Sequence, residues 1–277
     1  MRYNEFVNID VRGLNVMRIN RALFTVAVAG LAMVGVMGFS IKDADAAPGK
    51  ATATTATKWV FGSAKIVGNG KASSFVKLNS AGNPLAMGFV FNEKCLTGLP
   101  PGKFDTAAAV YLQMPSENPT GINHLEMDWN PQGHDPKPIY GVPHFDFHFY
   151  LCDDQMLNTV MAGPDKVPVN PKYTVPDYIS TVMTIPHMGT HWVDSKSPEL
   201  NGKPFTATYI YGYYKGDMKF VEPMIALSFL QSKKPFHLNI KQPKQFQHHA
   251  WYPRQMRLEY NATSHNYFLT LYDLVKR

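Results

Sequence analysis

The chain has 277 residues, of which 45% are hydrophobic, 17% charged and 13% aromatic, and its formal net charge is +6. This is the composition of an ordinary soluble globular protein, with room for one large domain or two small ones. With no arginine-rich helix, zinc-finger spacing or compact run of basic and aromatic residues, it excludes a nucleic-acid-binding reading.

The 21 prolines and 20 glycines argue for many turns and few long helices. The expected fold is therefore mainly β, a β-sandwich or distorted barrel with long Pro/Gly-rich loops. The N-terminus reads as an export signal over residues 1–46. Arg18 and Arg21 precede the apolar run Ala22 to Phe39, and Ala44-Asp45-Ala46 forms a small-x-small cleavage site. Met17 is an alternative start. A retained anchor is the competing view, because the apolar run approaches the length of a membrane span. The glycines and alanines within it favour cleavage, which leaves no stable membrane span and a periplasmic or secreted chain. Removing the signal takes away five basic and four acidic residues and leaves 22 positive against 17 negative. Residues 47–57 then read as a flexible spacer, and 58–277 as a single β-rich domain.

Structure is expected to begin at Lys58-Trp59-Val60-Phe61. Ser74–Leu78 and Leu85–Phe91 read as a first hairpin around the turn Asn79–Pro84. A Gly/Pro-rich loop, Cys95–Lys103, leads to a strand over Thr106–Met114, where three alanines also permit a helix that Pro115 would end. His124, Glu126 and Asp128 then alternate with apolar residues, either as ligands or as the wet side of an edge strand. The loop Asn130–Pro138 delivers His134 just before the most informative stretch in the chain.

That stretch is Pro143-His144-Phe145-Asp146-Phe147-His148-Phe149-Tyr150. Its period of two predicts a strand with His144, Asp146 and His148 on one face and the phenylalanines on the other. Alternate side chains on a strand lie roughly 6.7 Å apart, so one metal ion takes neighbouring members more easily than all three. Two histidines and a carboxylate need partners if that face is buried.

Asp153 or Asp154 caps a short helix over Gln155–Met161. The prolines between 163 and 177 indicate a long ordered loop or lid. His187 and His191 have a spacing that faces two ligands together on a helix, but Pro186 and Gly189 weaken a helical assignment. Phe205–Tyr211 reads as a strand, Gly212–Asp217 as a turn, and Lys219–Leu230 as an apolar segment with Glu222 at its entrance. The basic segment Pro235–Pro253 reads as a solvated flap, and Met256–Tyr260 with His265–Val275 as paired strands. Asn261-Ala262-Thr263 formally matches a glycan acceptor. Cys95 and Cys152 are either a disulfide or two buried thiols.

Several phrases reinforce one another: Trp129-Asn130-Pro131-x-Gly133-His134-x-Pro136, Tyr140 to Tyr150, Met188-Gly189-x-His191-Trp192 and Glu222-Pro223-Met224. Together they resemble the TTHB210-like domain family of exported proteins over approximately residues 58–232. The resemblance implies a shared β-rich domain with a polar site, and homo-oligomerisation through the ring assembly thought to occur in at least one member. It supplies no reaction.

The residues themselves point to a divalent metal, with zinc or iron the leading choices. His144, His148, His191 and Glu222 are the candidate ligands, and Glu126 and Asp146 the candidate proton acceptors. A hydrolase acting on a small-molecule substrate is the leading reading. Its rivals are a cupin-like metal oxidoreductase, whose usual ligand spacing this chain does not reproduce, and a non-enzymatic binding or assembly protein that would use Trp192, Tyr211, Tyr213 and Tyr214 as exposed contacts. No GxSxG nucleophile elbow occurs.

Overall fold

In the computed structural model, which describes residues 56–102 and 109–277, the stretch His144–Tyr150 is a strand buried along its whole length. Fifteen strands are formed among the described residues. In chain order they are β1 (Lys58–Phe61), β2 (Lys65–Val67), β3 (Gly70–Leu78), β4 (Pro84–Asn92), β5 (Ala109–Gln113), β6 (His124–Asn130), β7 (His144–Tyr150) and β8 (Gly163–Pro164). There follow β9 (Tyr178–Ile185), β10 (Gly189–Asp194), β11 (Ala207–Tyr214), β12 (Asp217–Ala226), β13 (Phe236–Asn239), β14 (Trp251–Asn261) and β15 (Asn266–Lys276). Helices are short: α1 (Lys137–Tyr140), α2 (Asp154–Leu157) and α3 (Leu227–Gln231).

The strands make two antiparallel sheets, so the fold is a sandwich and no barrel closes. The first sheet runs β1-β3-β4-β15-β14-β13, with β2 beside β3; the second runs β5-β6-β7-β12-β11-β10-β9-β8. The two ends of the described chain thus build one sheet and its middle builds the other. Between them the alternating aromatics meet. Phe89 of β4 sits edge-on to both Phe147 and Phe149, each at 5.1 Å, and Phe91 stacks on Phe147 at 5.6 Å. Leu125, Met127, Tyr209, Tyr211, Val221 and Ile225 extend this core along the second sheet, and Met87, Met256, Leu258, Leu269 and Leu271 along the first. A fully buried phenylalanine contributes about 1.5–3 kcal/mol through removal from water.

The first hairpin forms as expected, with β3 and β4 paired from Ala72↔Phe91 to Leu78↔Pro84. Other expectations change. The strand carrying His124, Glu126 and Asp128 is not an edge strand: β6 lies between β5 and β7, and His124 and Asp128 are buried. Residues 212–214 continue β11, because Tyr213 and Tyr214 pair with Met218 and Asp217 and leave only Lys215-Gly216 to turn the chain. Glu222 consequently stands in the middle of β12 rather than at its entrance. The basic flap is structured, since β13 pairs with β14 and Phe246 stacks on the buried Tyr252 at 3.6 Å. The helix after β7 is a single turn, capped by the Asp153 carboxylate accepting from the Met156 amide at 2.9 Å.

Cys95 and Cys152 are both free. The three tyrosines proposed as exposed contacts are buried, Tyr211 and Tyr213 at 1% exposure and Tyr214 at 7%, so they build the sheet and not a docking face. No helix among the described residues is long and apolar enough to cross a membrane. The signal, the spacer up to Thr55 and residues 103–108 of the expected strand Thr106–Met114 lie outside the described residues.

Candidate metal centre

A sheet that buries one face in a sandwich normally turns the other to water, and the alternation of β7 puts polar residues there. In this protein that second face is also covered. Tyr140, Val193, Phe205, Ile210, Met224 and Ala226 form a separate apolar cluster on it. The consequence is a row of polar groups that is largely buried.

Register decides which of them meet. β6 pairs with β7 so that Glu126 lies beside His148, Asp128 beside Asp146 and Asn130 beside His144. On the other side of β7, the pairs Val221↔Phe149 and Met224↔Asp146 share one register, which sets Glu222 next to His148. His191 arrives from β10, across β11. Its neighbour there is Gly212, which in turn faces Phe220. A Cβ at Gly212 would run into the Phe220 ring. Glycine therefore leaves room for that ring beside β11, where it makes T-shaped contacts with His148 at 5.0 Å and His191 at 5.2 Å. Gly133 has φ +60, and a Cβ there would strike the Tyr140 carbonyl; this close approach seats the loop that presents His134.

Two triads result. In the first, His144 Nε2 is 3.1 Å from Asp146 Oδ1 and His134 Nε2 is 3.5 Å from Asp146 Oδ2. In the second, His148 Nε2 is 3.7 Å from Glu222 Oε1 and His191 Nε2 is 3.3 Å from Glu222 Oε2. The ligand-type atoms within each triad all lie within 4.8 Å of one another.

The other ring nitrogens are each held by an outer acceptor. His144 Nδ1 donates to the Val142 carbonyl at 2.7 Å, His134 Nδ1 to the Asp135 carbonyl at 2.8 Å, and His148 Nδ1 to the Asp128 carboxylate at 2.8 Å. A carbonyl can only accept, so these nitrogens carry a proton. Each Nε2 faces a carboxylate oxygen, to which it donates while the ring is charged and beside which it offers a lone pair once the ring is neutral. Asn130 Nδ2 donates to Asp146 Oδ2 at 2.7 Å and fixes that carboxylate. Anchoring of ligand histidines and carboxylates by such outer partners is the usual construction of a metal site.

Nine buried side-chain polar atoms among the described residues lack a hydrogen-bond partner, and six lie on this face: His124 Nε2, Asn130 Oδ1, His144 Nε2, Asp146 Oδ1, His148 Nε2 and Glu222 Oε2. Five of them, all but Asn130 Oδ1, stand at ion-pair distance from an imidazole or carboxylate partner. The charges respond accordingly. Burial would lower the pKa of His148, but Glu222 and Asp128 outweigh it and raise it to about 10. Burial opposes His134 likewise, and Asp146 raises it to about 9. His191 is pushed down to about 3 by burial and by the neighbouring His148. Burial raises Glu222 to about 8, whereas for Asp146 the effect of burial is overcome by His144 and His134, which hold it well below the usual carboxylate range.

One cleft opens on both triads. It encloses about 840 Å³ and is lined by His134 and Asp146 from the first triad, His191 from the second, and an apolar wall that includes Met183, Ile185 and Met188. The size is that of a small-molecule site.

The residues expected from sequence are therefore distributed in a definite way. His148, His191 and Glu222 come together; His144 stands with Asp146 and with His134, whose loop position was noted without a role. Glu126 belongs to a third group with His124 and Asp154. Burial raises Glu126 to about 7 and lowers His124 to about 4. His187 sits in the β9–β10 turn with φ +62, outside all three groups, so the HxxxH spacing has no helical meaning here. Asp128 and Asn130 were missed as anchors; the two-residue spacing from His124 onward was the signal for Asp128.

No protein-family model, curated protein or solved structure matches this chain.

Proposed function

We propose that this is an exported metal-dependent hydrolase whose two triads, His134–His144–Asp146 and His148–His191–Glu222, each hold a divalent ion at the floor of the cleft. One observation carries this reading: in each triad two imidazoles and one carboxylate bring ligand-type atoms within 4.8 Å of one another, with imidazole nitrogens and carboxylate oxygens facing at 3.1–3.7 Å. A proton satisfies one such pair, whereas a divalent ion satisfies several at once. Imidazole with carboxylate suits zinc, and no cysteine joins either group.

A bound ion supplies Lewis acidity, polarising a carbonyl or phosphoryl oxygen and lowering the pKa of water. The chain supplies position. Asp128 and the Val142 and Asp135 carbonyls hold the rings, Asn130 holds Asp146, and Met183, Ile185 and Met188 offer an apolar wall to the body of a small substrate. Asp146 is assigned here to holding the ion, because Asn130 and His134 occupy one carboxylate oxygen and His144 faces the other.

A second reading has its own support. Two histidines and one carboxylate with open positions are also the ligand set of non-haem iron oxygenases. Metal identity separates the two. Protein purified without histidine tag or chelator is expected to carry zinc by elemental mass spectrometry, and His144→Ala and His148→Ala are each expected to lose about one equivalent. Chelation should abolish cleavage of chromogenic ester or phosphoester substrates, and added zinc should restore it. Iron in place of zinc would favour the oxygenase. Folded wild type without metal, its stability unchanged by chelator, would remove both readings and leave a binding or assembly protein.

A further inference from the structure

We infer that the third group, His124, Glu126 and Asp154, is a separate cation site for a zinc-like ion, which fastens the segment after β7 to the outer face of the second sheet. His124 is fully buried, and its ring is clamped between Tyr111 at 4.6 Å and Tyr150 at 4.7 Å, both near-parallel. Its Nδ1 faces the Asn123 side-chain oxygen at 3.0 Å, which makes that nitrogen the donor. The opposite nitrogen, Nε2, is buried and without a hydrogen bond. It points between two carboxylates, with Asp154 Oδ1 at 3.5 Å and Glu126 Oε1 at 3.8 Å. An imidazole held this way offers Nε2 beside two carboxyl groups, and a divalent ion there would engage all three side chains at once.

The construction matches the cleft triads in its logic but not in its exposure. Its imidazole is locked by stacking and by an outer hydrogen bond, as a ligand histidine is. Asp154 is 62% exposed on its side chain, so an ion can enter from solvent and retain water on that side. The site also has something to organise. Asp154 opens α2, and the residues just beyond it hold Tyr214, whose hydroxyl donates to the Thr159 carbonyl at 3.2 Å. Glu126 and His124 lie on β6 and Asp154 beyond the end of β7, so an ion there ties sheet and segment together. No route to the cleft is required, and the site is stabilising rather than catalytic.

Zinc is the probe. The full chain is stripped with chelator, and zinc is titrated against a chromophoric competitor in wild type, Asp154→Asn, His148→Ala and the double variant. Asp154 is on the surface, so its replacement leaves the buried stack intact and folding is not in question. The expected result is loss of about one zinc equivalent, or at least roughly tenfold weaker binding of it, in Asp154→Asn whether or not His148 is present. Zinc should also raise the thermal midpoint of His148→Ala and lose that effect in the double variant. Unchanged zinc number and affinity on replacing Asp154 would overturn the inference while leaving the cleft reading standing. Loss in Asp154→Asn with no change in His148→Ala would do the reverse.

Discussion

Replacing Asp128 by Asn tests whether the polar row is a metal site or only a buried ionic network. Asp128 touches no proposed ion; it accepts the Nδ1 proton of His148 at 2.8 Å and so turns Nε2 toward Glu222. Asparagine is nearly isosteric but neutral, and its amide can present a donor to a nitrogen that already carries a proton. Removing an outer partner of a ligand histidine typically costs 10- to 100-fold in metal affinity, about 1.4–2.8 kcal/mol. The assay is competition for zinc against a chromophoric chelator at pH 7.5, paired with urea denaturation of the metal-free protein. Weakening of that size is expected at one cleft equivalent, with Asp154→Asn as a control that leaves this equivalent unchanged. Affinity altered by less than about threefold, together with a large loss of metal-free stability, would refute the reasoning, because it would make Asp128 a counterion to a permanently charged His148.

The pKa shifts set a pH dependence of definite sign. His134 and His148 are raised from 6.5 to about 9 and about 10, so their contribution is complete below pH 6.5 and disappears as pH climbs through those values. Glu222, raised to about 8, keeps a proton the unfolded chain has lost and loses stability in the same direction between its ordinary value and pH 8. Thermal midpoints of chelator-treated protein should therefore fall between pH 6.5 and 10, and saturating zinc should suppress the fall; a flat chelated profile would contradict it. Gly212→Ala forces the Phe220 ring off β11 and away from His148 and His191. Urea denaturation should show about 1–3 kcal/mol of overpacking cost, and zinc competition a weakened cleft site. Phe147→Ala, which empties the contact with Phe89 and Phe91, should cost about 3–5 kcal/mol in the same denaturation experiment. Cys95 and Cys152 should both react with Ellman's reagent in denaturant without reductant, and slowly in the native state, where burial pushes their thiols to about 12 and about 11.

Much of this was legible in the residues because a strand reports itself through a period of two. Phe145, Phe147 and Phe149 announce an apolar face, and His144, Asp146 and His148 a polar one, whatever the sheet around them. Sequence could not tell whether the polar face is wet. That depends on Tyr140 just before the strand and on Val193 and Phe205, which arrive from distant segments, to roof it. Nor does a one-dimensional pattern give lateral neighbours: His191 reaches Glu222 only because β10, β11 and β12 lie side by side with glycine at 212 between them. The same blindness left an edge strand open as one reading of β6 and split the expected ligand set, since His144 and His148 are both on β7 yet face different carboxylates. Local turn chemistry misled at residues 212–214, where a Gly-Tyr-Tyr run resembles a turn but is held in strand by pairing with β12.

The cost of the polar row is the remaining argument for its purpose. Buried ion pairs contribute little net stability, since desolvating the charges consumes most of their attraction, and well-packed apolar residues of similar volume usually do as well or better. The neighbouring face of the same strand demonstrates the apolar alternative, with Phe145, Phe147 and Phe149 fully buried against a second sheet. Tyr140 and Phe205 already roof the outer face and could close over leucines as readily as over His144. Stability therefore does not account for four imidazoles and two carboxylates gathered at one cleft. Outer hydrogen bonds fix the rings of His134, His144 and His148, and their inward nitrogens face carboxylate oxygens. On the reading proposed above, these ligand-type groups are gathered beside a cleft of about 840 Å³ to hold a cation rather than to stabilise the sheet.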